Sequence, residues 1–125
     1  MIIVQRISCF FMIVFLIFVT MDSYAFVTES SWYSNEETNY NKCADGKYHD
    51  LSTELVCASW DFPFQTRLLI TRIGGESVEV VVVDRGPAKR LYRKGRKIDI
   101  SKAAAKRLGF IKDGLAKVVV ERIGD

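Results

Sequence analysis

The sequence predicts a mainly β protein that closes into a small barrel and carries one short α-helix near its C-terminus. The first observation is a segment of branched residues at 66–72, followed by Gly74-Gly75 and by the apolar segment 77–84; this is the pattern of a β-hairpin. The second is a pair of further strand-like segments at 97–100 and 115–123. A closed barrel is the natural arrangement for these strands because it leaves no long edge exposed.

The single helix is predicted at 102–108. Its sequence, Lys-Ala-Ala-Ala-Lys-Arg-Leu, is rich in helix-forming residues. Ser101 is suited to the N-cap and Gly109 to the position just after the helix. Residues 26–50 are polar, and we expect one short strand there followed by a long loop.

Residues 1–25 have the features of a signal peptide. Arg6 is the only charged residue before Asp22, and 7–19 are apolar apart from Ser8. Ser23 and Ala25 supply small residues for cleavage after Ala25. The prediction is an exported protein, periplasmic or extracellular, whose domain is 26–125 and which keeps no stable membrane anchor after cleavage. An uncleaved membrane anchor is the alternative.

Charge and size limit the classes of partner. Cleavage would remove one charge of each sign, so the formal net charge stays at +3. About 100 residues would remain, enough for one modest core, and we expect a monomer. A basic run at 85–97 is either a solvated loop face or a surface that attracts carboxylates of a cell-wall polymer. Nucleic acid would fit this charge equally well, but export argues against it.

Two cysteines, Cys43 and Cys57, lie after the signal peptide. In an oxidising compartment such a pair most simply forms a disulfide, which the chain-entropy model values at roughly 3 kcal/mol for a loop of about 15 residues. Two buried thiols are the alternative. The sequence has one histidine, His49, and no Cys-x-x-Cys pair, so no metal site and no cofactor is predicted.

The most specific motif lies between residues 81 and 109. An apolar strand leads into Asp-Arg-Gly-Pro (84–87), followed by Ile-Asp-Ile-Ser (98–101), Ala103-Ala104 and Leu108-Gly109. Upstream stand Ser-Trp-Tyr (31–33) and Pro-Phe-Gln-Thr (63–66). In these motifs the chain resembles the rare lipoprotein A family over about residues 30–123. The resemblance implies a six-stranded double-psi β-barrel. It also implies a lytic transglycosylase that cuts peptidoglycan between N-acetylmuramic acid and N-acetylglucosamine and forms a 1,6-anhydro ring.

The resemblance also suggests site residues. Asp84 matches the family's catalytic acid, whereas Ser59 stands where the family has a histidine. In a lytic reaction one group can first give a proton to the leaving oxygen and then take one from the sugar's own hydroxyl. A role for Asp84 as a turn-forming residue bound to the 86–87 backbone is the alternative. Asp99 also matches a family aspartate, and its place near the helix start favours a structural role.

Further residues are candidates for substrate binding. Trp60 and Tyr48 flank polar positions and could offer flat faces to sugar rings. Glu54 and Arg85 lie near the catalytic candidates in sequence. Glu54 or Asp61 could replace the missing histidine; His49, alone in a loop, is more typical of a solvated side chain.

Two classes of function follow from these residues. Asp84 favours an enzyme, and Ser59 favours a non-catalytic wall-binding module on the same barrel, like the expansin and barwin relatives. An exported inhibitor or toxin-like effector is a remote third possibility.

Overall fold

A computed structural model describes residues 24–125. The predicted signal peptide therefore lies outside the described residues, apart from Tyr24 and Ala25. Within 24–125 no helix is both long and apolar enough to cross a membrane. The strands are β1 (Ala25–Tyr33), β2 (Val56–Ser59), β3 (Arg67–Arg72), β4 (Ser77–Asp84), β5 (Ile98–Ser101) and β6 (Leu115–Gly124), and the helices are α1 (Lys89–Arg93) and α2 (Lys102–Leu108).

The six strands form a closed barrel in the order β1-β5-β2-β4-β3-β6. Two neighbouring pairs, β1 with β5 and β2 with β4, run parallel, and the others run antiparallel. This confirms the predicted class, a mainly β double-psi barrel. Its interior is filled by branched side chains with no exposed surface, among them Leu68, Ile70, Val80, Val82, Ile100, Val118 and Val120.

Local sequence accounts for several elements. The β3–β4 hairpin turns through Gly74, whose φ of +76° suits glycine. The Ser101 hydroxyl accepts a hydrogen bond from the Ala104 amide at the start of α2, and Gly109 ends that helix with φ of 80°. Helix α1 was not predicted from the sequence, because it has no capping side chain and buries none of its residues.

A long loop, residues 34–55, packs on the outer face of the barrel. Its Cys43 and Leu51 form a small buried cluster with Val56 and Val83. Asn35 fixes the loop from within: its side-chain amide donates to the His49 carbonyl at 2.9 Å, and its side-chain oxygen accepts from the Leu51 amide at 2.8 Å. The outer cluster therefore holds this loop beside the end of β4.

Candidate active site

Four residues lie in one row across neighbouring strands at the end of the barrel. Ser31 on β1 pairs with Asp99 on β5, Asp99 pairs with Ala58 on β2, and Ala58 pairs with Asp84 on β4. Paired residues in adjacent strands present their side chains to the same face, and adjacent strands lie about 4.8 Å apart. The row therefore places two carboxyl groups on either side of the small Ala58 side chain.

The turn 84–87 folds back over this row. A Cβ atom on Gly86 would lie 3.2 Å from the Ala58 Cβ and 3.7 Å from Asp99 Oδ2. The backbone of the turn consequently covers Ala58 and borders Asp99. A side chain at this position would require Ala58 to move by a few tenths of an ångström.

Asp84 ends β4 and is half-buried. Its Oδ1 accepts hydrogen bonds from the backbone amides of Ala44 and Arg85, both at 2.9 Å. The turn-forming alternative predicted hydrogen bonds to the backbone of residues 86 and 87. The two amides that bind Asp84 instead belong to Ala44 and Arg85. They fix the carboxyl group between the 34–55 loop and the turn, with Oδ2 outside both bonds.

Asp99 has a different environment from the one expected for a helix-start carboxylate. Ser101 caps α2, and Asp99 Oδ1 instead accepts a hydrogen bond from the Ser31 hydroxyl. Burial raises the pKa of the Asp99 carboxyl, and the Ser31 hydrogen bond and the Arg96 charge offset this only in part. The sequence placed Asp99 near a helix; the pairing of β5 with β1 and β2 places it opposite Ala58.

Ser59, which stands at the position of the family histidine, is 1% exposed. Its hydroxyl accepts a hydrogen bond from the Asp61 amide at 3.1 Å. That bond shapes the loop after β2, and no hydrogen bond joins Ser59 to Asp84 in the described part of the chain. A hydroxyl held in this way is not a base near neutral pH.

Arg85 and Trp60 join the 84–87 turn to the loop after β2. The Arg85 guanidinium donates to the carbonyls of Ser59 and Phe62, each at 2.8 Å, and lies 3.8 Å from the centre of the Phe64 ring. Trp60 donates from its indole nitrogen to the Pro87 carbonyl at 2.7 Å. The Arg85 guanidinium is thus occupied by protein carbonyls, although the sequence suggested substrate binding.

Trp60 remains available at the edge of the site. Its side chain is 37% exposed, and the Lys89 ammonium lies 3.9 Å from the centre of its ring. Its contact with Pro87 places it beside the turn that follows Asp84. Of the residues suggested for substrate binding, Trp60 is the one the structure brings next to that turn with its ring still exposed.

The 34–55 loop holds a charged network that sequence reasoning missed. His49 Nδ1 lies 2.9 Å from Glu54 Oε1, and His49 Nε2 lies 2.8 Å from Asp45 Oδ2. Burial by itself lowers the pKa of the His49 imidazole, but the hydrogen bonds to Glu54 and Asp45 and their charges outweigh it and raise that pKa. Asp45 follows Ala44 and donates its amide to the Val83 carbonyl at 3.1 Å, so the network adjoins Asp84.

His49 was expected to be solvated, and its side chain is only 13% exposed. The signal available in the sequence was the placement of two acidic residues, four positions before and five positions after the one histidine. Glu54, suggested earlier as a substrate-binding group or a replacement base, is a partner of His49 in the structure.

The predicted disulfide is not formed in this structure, in which Cys43 and Cys57 are both free, buried thiols. Cys43 packs in the outer cluster and Cys57 in the barrel interior. Burial, together with the nearby Asp84 charge, raises the pKa of the Cys43 thiol to about 12. Burial also raises the pKa of Cys57 and of the Tyr33 phenol, whose hydroxyl is buried without a hydrogen-bond partner. This environment keeps both thiols unreactive.

Tyr48 is 52% exposed and lines a separate pocket in the 34–55 loop, which Asp84 does not line. Within residues 24–125, no group of three or more His, Cys, Asp or Glu side chains is arranged to hold a metal ion. The site that the structure assembles is therefore a carboxyl pair, Asp84 and Asp99, bordered by the 84–87 turn and Trp60.

The closed six-stranded barrel defines the class of the domain, a double-psi β-barrel. The family model described as lytic transglycolase matches residues 26–120, and the chain belongs to that family. Chains named endolytic peptidoglycan transglycosylase RlpA are similar to it. The one from Neisseria meningitidis serogroup B is 36% identical over 95 residues, which cover 75% of this chain and 37% of that protein. The one from Pseudomonas aeruginosa is 36% identical over 102 residues, which cover 81% and 28%.

The fold is also found in a solved structure, the expansin of Clavibacter michiganensis. It aligns with a TM-score of 0.62 at 16% identity and covers 82% of this chain and 52% of that one. This likeness shows a shared fold. The chain spans about a third of the length of the curated relatives it matches.

Proposed function

We propose that this protein is an exported lytic transglycosylase. It cleaves the glycan strand of peptidoglycan between N-acetylmuramic acid and N-acetylglucosamine and leaves 1,6-anhydro ends. The observation that carries the proposal is the position of Asp84, which is held by two backbone amides and lies across Ala58 from the partly buried Asp99. The names of the relatives support the substrate, and the family match over residues 26–120 supports the class of reaction.

The reaction needs little more than proton transfer at two oxygens. The bond between C1 of the muramic sugar and the leaving O4 breaks, and that oxygen receives a proton. The C6 hydroxyl of the same sugar attacks C1, forms the anhydro ring and gives up its proton. Because the nucleophile belongs to the substrate, the chain has to supply only the proton donor and acceptor.

Asp84 is the group we assign to these transfers. It lies at the open end of β4, and its Oδ2 is outside the two amide bonds that hold Oδ1. Asp99 provides a second carboxyl, whose pKa is raised by burial against the opposing effects of the Ser31 hydrogen bond and the Arg96 charge. Pairs of carboxyls in unlike environments are a common way to divide acid and base roles.

Trp60 offers a flat ring to a sugar at the edge of this site, since it is partly exposed and fixed to the Pro87 carbonyl. Arg85 acts on the site indirectly, because its guanidinium ties the turn to the loop after β2. We place the protein outside the cytoplasm as a monomer, with residues 1–25 removed on export.

The second candidate function is a non-catalytic wall-binding module. The observation in its favour is Ser59, which replaces the family histidine and is buried in a hydrogen bond to the Asp61 amide. Such a module would keep the barrel and bind glycan strands without cutting them.

One experiment separates the two candidates. The exported protein is incubated with purified sacculi, and mass spectrometry is used to search for anhydro-muropeptides. Their release by the wild type, and not by Asp84→Asn, supports the enzyme. Co-sedimentation with sacculi without any release supports the binding module.

A further inference from the structure

A second pocket lies in the 34–55 loop, apart from Asp84, with a volume of about 240 Å³. Two tyrosine rings stand at it, Tyr40 and Tyr48, and both are among the most exposed large side chains of the described residues, at 61% and 52%. The other groups that the pocket offers are polar: Glu36, Asp50, Ser52 and Lys102.

The exposure of these rings is not explained by the folding of the domain. Burying an aromatic ring is favourable, yet neither tyrosine belongs to the hydrophobic clusters of the domain. Tyr40 in addition has φ of 56°, a left-handed conformation that is rare for a bulky residue. Its amide donates to the Asn35 carbonyl at 2.8 Å, which keeps this conformation in place. Backbone strain at an exposed ring is typical of a site that contacts a ligand.

The pocket is built on a fixed base. Buried Asn35 bonds with both ends of its amide to the backbone of His49 and Leu51, on either side of Asp50. The Leu51 carbonyl in turn accepts from the Ala103 amide at 2.9 Å. The segment that carries Tyr48 is thereby attached to both β1 and α2, and a ligand would meet preordered groups.

The pocket and the carboxyl row share the 34–55 loop. The Ala44 amide of this loop donates to Asp84 Oδ1 at 2.9 Å, and the next residue, Asp45, binds His49, the neighbour of Tyr48, at 2.8 Å. Ser34 and Lys102, which line the pocket, directly follow β1 and β5, the strands that carry Ser31 and Asp99. The pocket is therefore joined to the row through one short stretch of the loop and through the ends of two strands.

We propose that the Tyr40–Tyr48 pocket is a second glycan subsite that binds an N-acetylglucosamine unit of the strand being cut. The apolar face of the sugar ring would pack on a tyrosine ring, and its hydroxyls would meet Asp50, Ser52 and Lys102. The pocket is lined by two carboxylates, Glu36 and Asp50, and by one ammonium group, Lys102. This excess of negative charge favours a neutral sugar over an acidic stem peptide. The proposal rests on the proposed function for its choice of polymer.

The test uses chitotriose, which contains only N-acetylglucosamine and carries neither a lactyl group nor a peptide. It is titrated into the exported protein and followed by NMR. Shifts at residues 34–52 and 102 are expected, and Tyr40→Ala combined with Tyr48→Ala should weaken the binding that these shifts report about tenfold or more. Tyr48→Phe should retain binding because it keeps the ring. Ile73→Ala, which removes a comparably exposed side chain in the β3–β4 turn, should leave it unchanged.

The same titration distinguishes failure of the subsite from failure of the enzyme. Asp84→Asn should bind chitotriose like the wild type even though it makes no product. If the wild type releases anhydro-muropeptides but shows no chitotriose shifts at residues 34–52, the proposed subsite is wrong and the proposed activity is supported. Chitotriose binding that depends on the tyrosine rings, without release of anhydro-muropeptides, would support the subsite and contradict the proposed activity. Preferential binding of an isolated stem peptide at Tyr40 and Tyr48 would also overturn the subsite.

Discussion

Asp84 and Asp99 are both register partners of Ala58, Asp84 through the parallel ladder of β4 and Asp99 through the antiparallel ladder of β5. Twelve or more residues separate all three along the chain, and only closure of the barrel brings them together. The Gly86 backbone lies over the small Ala58 side chain between the two aspartates and borders Asp99 Oδ2.

Asp99→Asn should reduce activity without loss of stability at neutral pH. Burial raises the folded-state pKa of Asp99, so the folded protein binds this proton more tightly than the unfolded chain. The group therefore favours folding at low pH and loses that contribution as pH rises from about 3.9 through the folded pKa. In thermal melts at pH 4 and pH 7, the melting temperature of the variant should rise relative to that of the wild type as pH rises.

Asp113→Asn is the matched control for this comparison, because Asp113 is exposed and forms only a surface ion pair with Arg72. Because Asp113 lies outside the carboxyl row, the activity of this variant should equal that of the wild type. A loss of stability by Asp99→Asn at both pH values, with activity intact, would return Asp99 to the structural role that the sequence suggested.

His49 should titrate above the ordinary histidine pKa of about 6.5. Glu54 and Asp45 hold its two ring nitrogens and favour the imidazolium against the effect of burial. Its contribution to stability is fully present below the unfolded pKa and is lost as pH rises through the folded pKa. Because the sequence has one histidine, NMR titration of the imidazole reads this value directly.

His49→Gln should remove the loss of stability that His49 causes as pH rises from the ordinary histidine pKa through the raised one. Glu54→Gln should lower the pKa of His49 while keeping a hydrogen-bond partner. An imidazole that titrates at or below its ordinary value in the wild type would contradict the network.

Gly86→Ala should destabilise the protein and weaken activity, because the new methyl group would lie 3.2 Å from the Ala58 side chain and close to Asp99 Oδ2. Overpacking of this kind typically costs about 1–3 kcal/mol. Gly75→Ala is the control, since its Cβ would make only ordinary contacts, of 3.5 Å or more, with Arg72. Denaturant unfolding measures the free energy of unfolding of both variants. Equal values would show that the turn does not pack closely against the carboxyl row.

Local signals made part of this fold predictable. Gly74-Gly75 indicated the β3–β4 hairpin, and Ser101 and Gly109 indicated both ends of α2. The parallel pairing of β1 with β5 and of β2 with β4 depends on long-range register, which no local pattern contains. For the same reason Asp84 was found through a motif, whereas the place of Asp99 opposite Ala58 was not.

The 34–55 loop was the least predictable region. Its polar residues indicated only a loop, because the bonds of Asn35 to His49 and Leu51 depend on how the chain folds back on itself. Those bonds determine that His49 meets two carboxylates and that Tyr40 and Tyr48 stand at one pocket. The charge of Arg85 suggested a ligand, and in the structure its guanidinium donates to two backbone carbonyls, which sequence alone does not show.

The most direct test of the account is the anhydro-muropeptide yield from purified sacculi for the wild type and Asp84→Asn, measured by mass spectrometry with melting temperatures recorded in parallel. Asparagine keeps the size of the side chain and an oxygen for the Ala44 and Arg85 amides but cannot supply an acid's proton. The account predicts near-equal melting temperatures and a loss of product of about 10²–10⁴-fold. Release of anhydro-muropeptides by Asp84→Asn at the wild-type rate would contradict it.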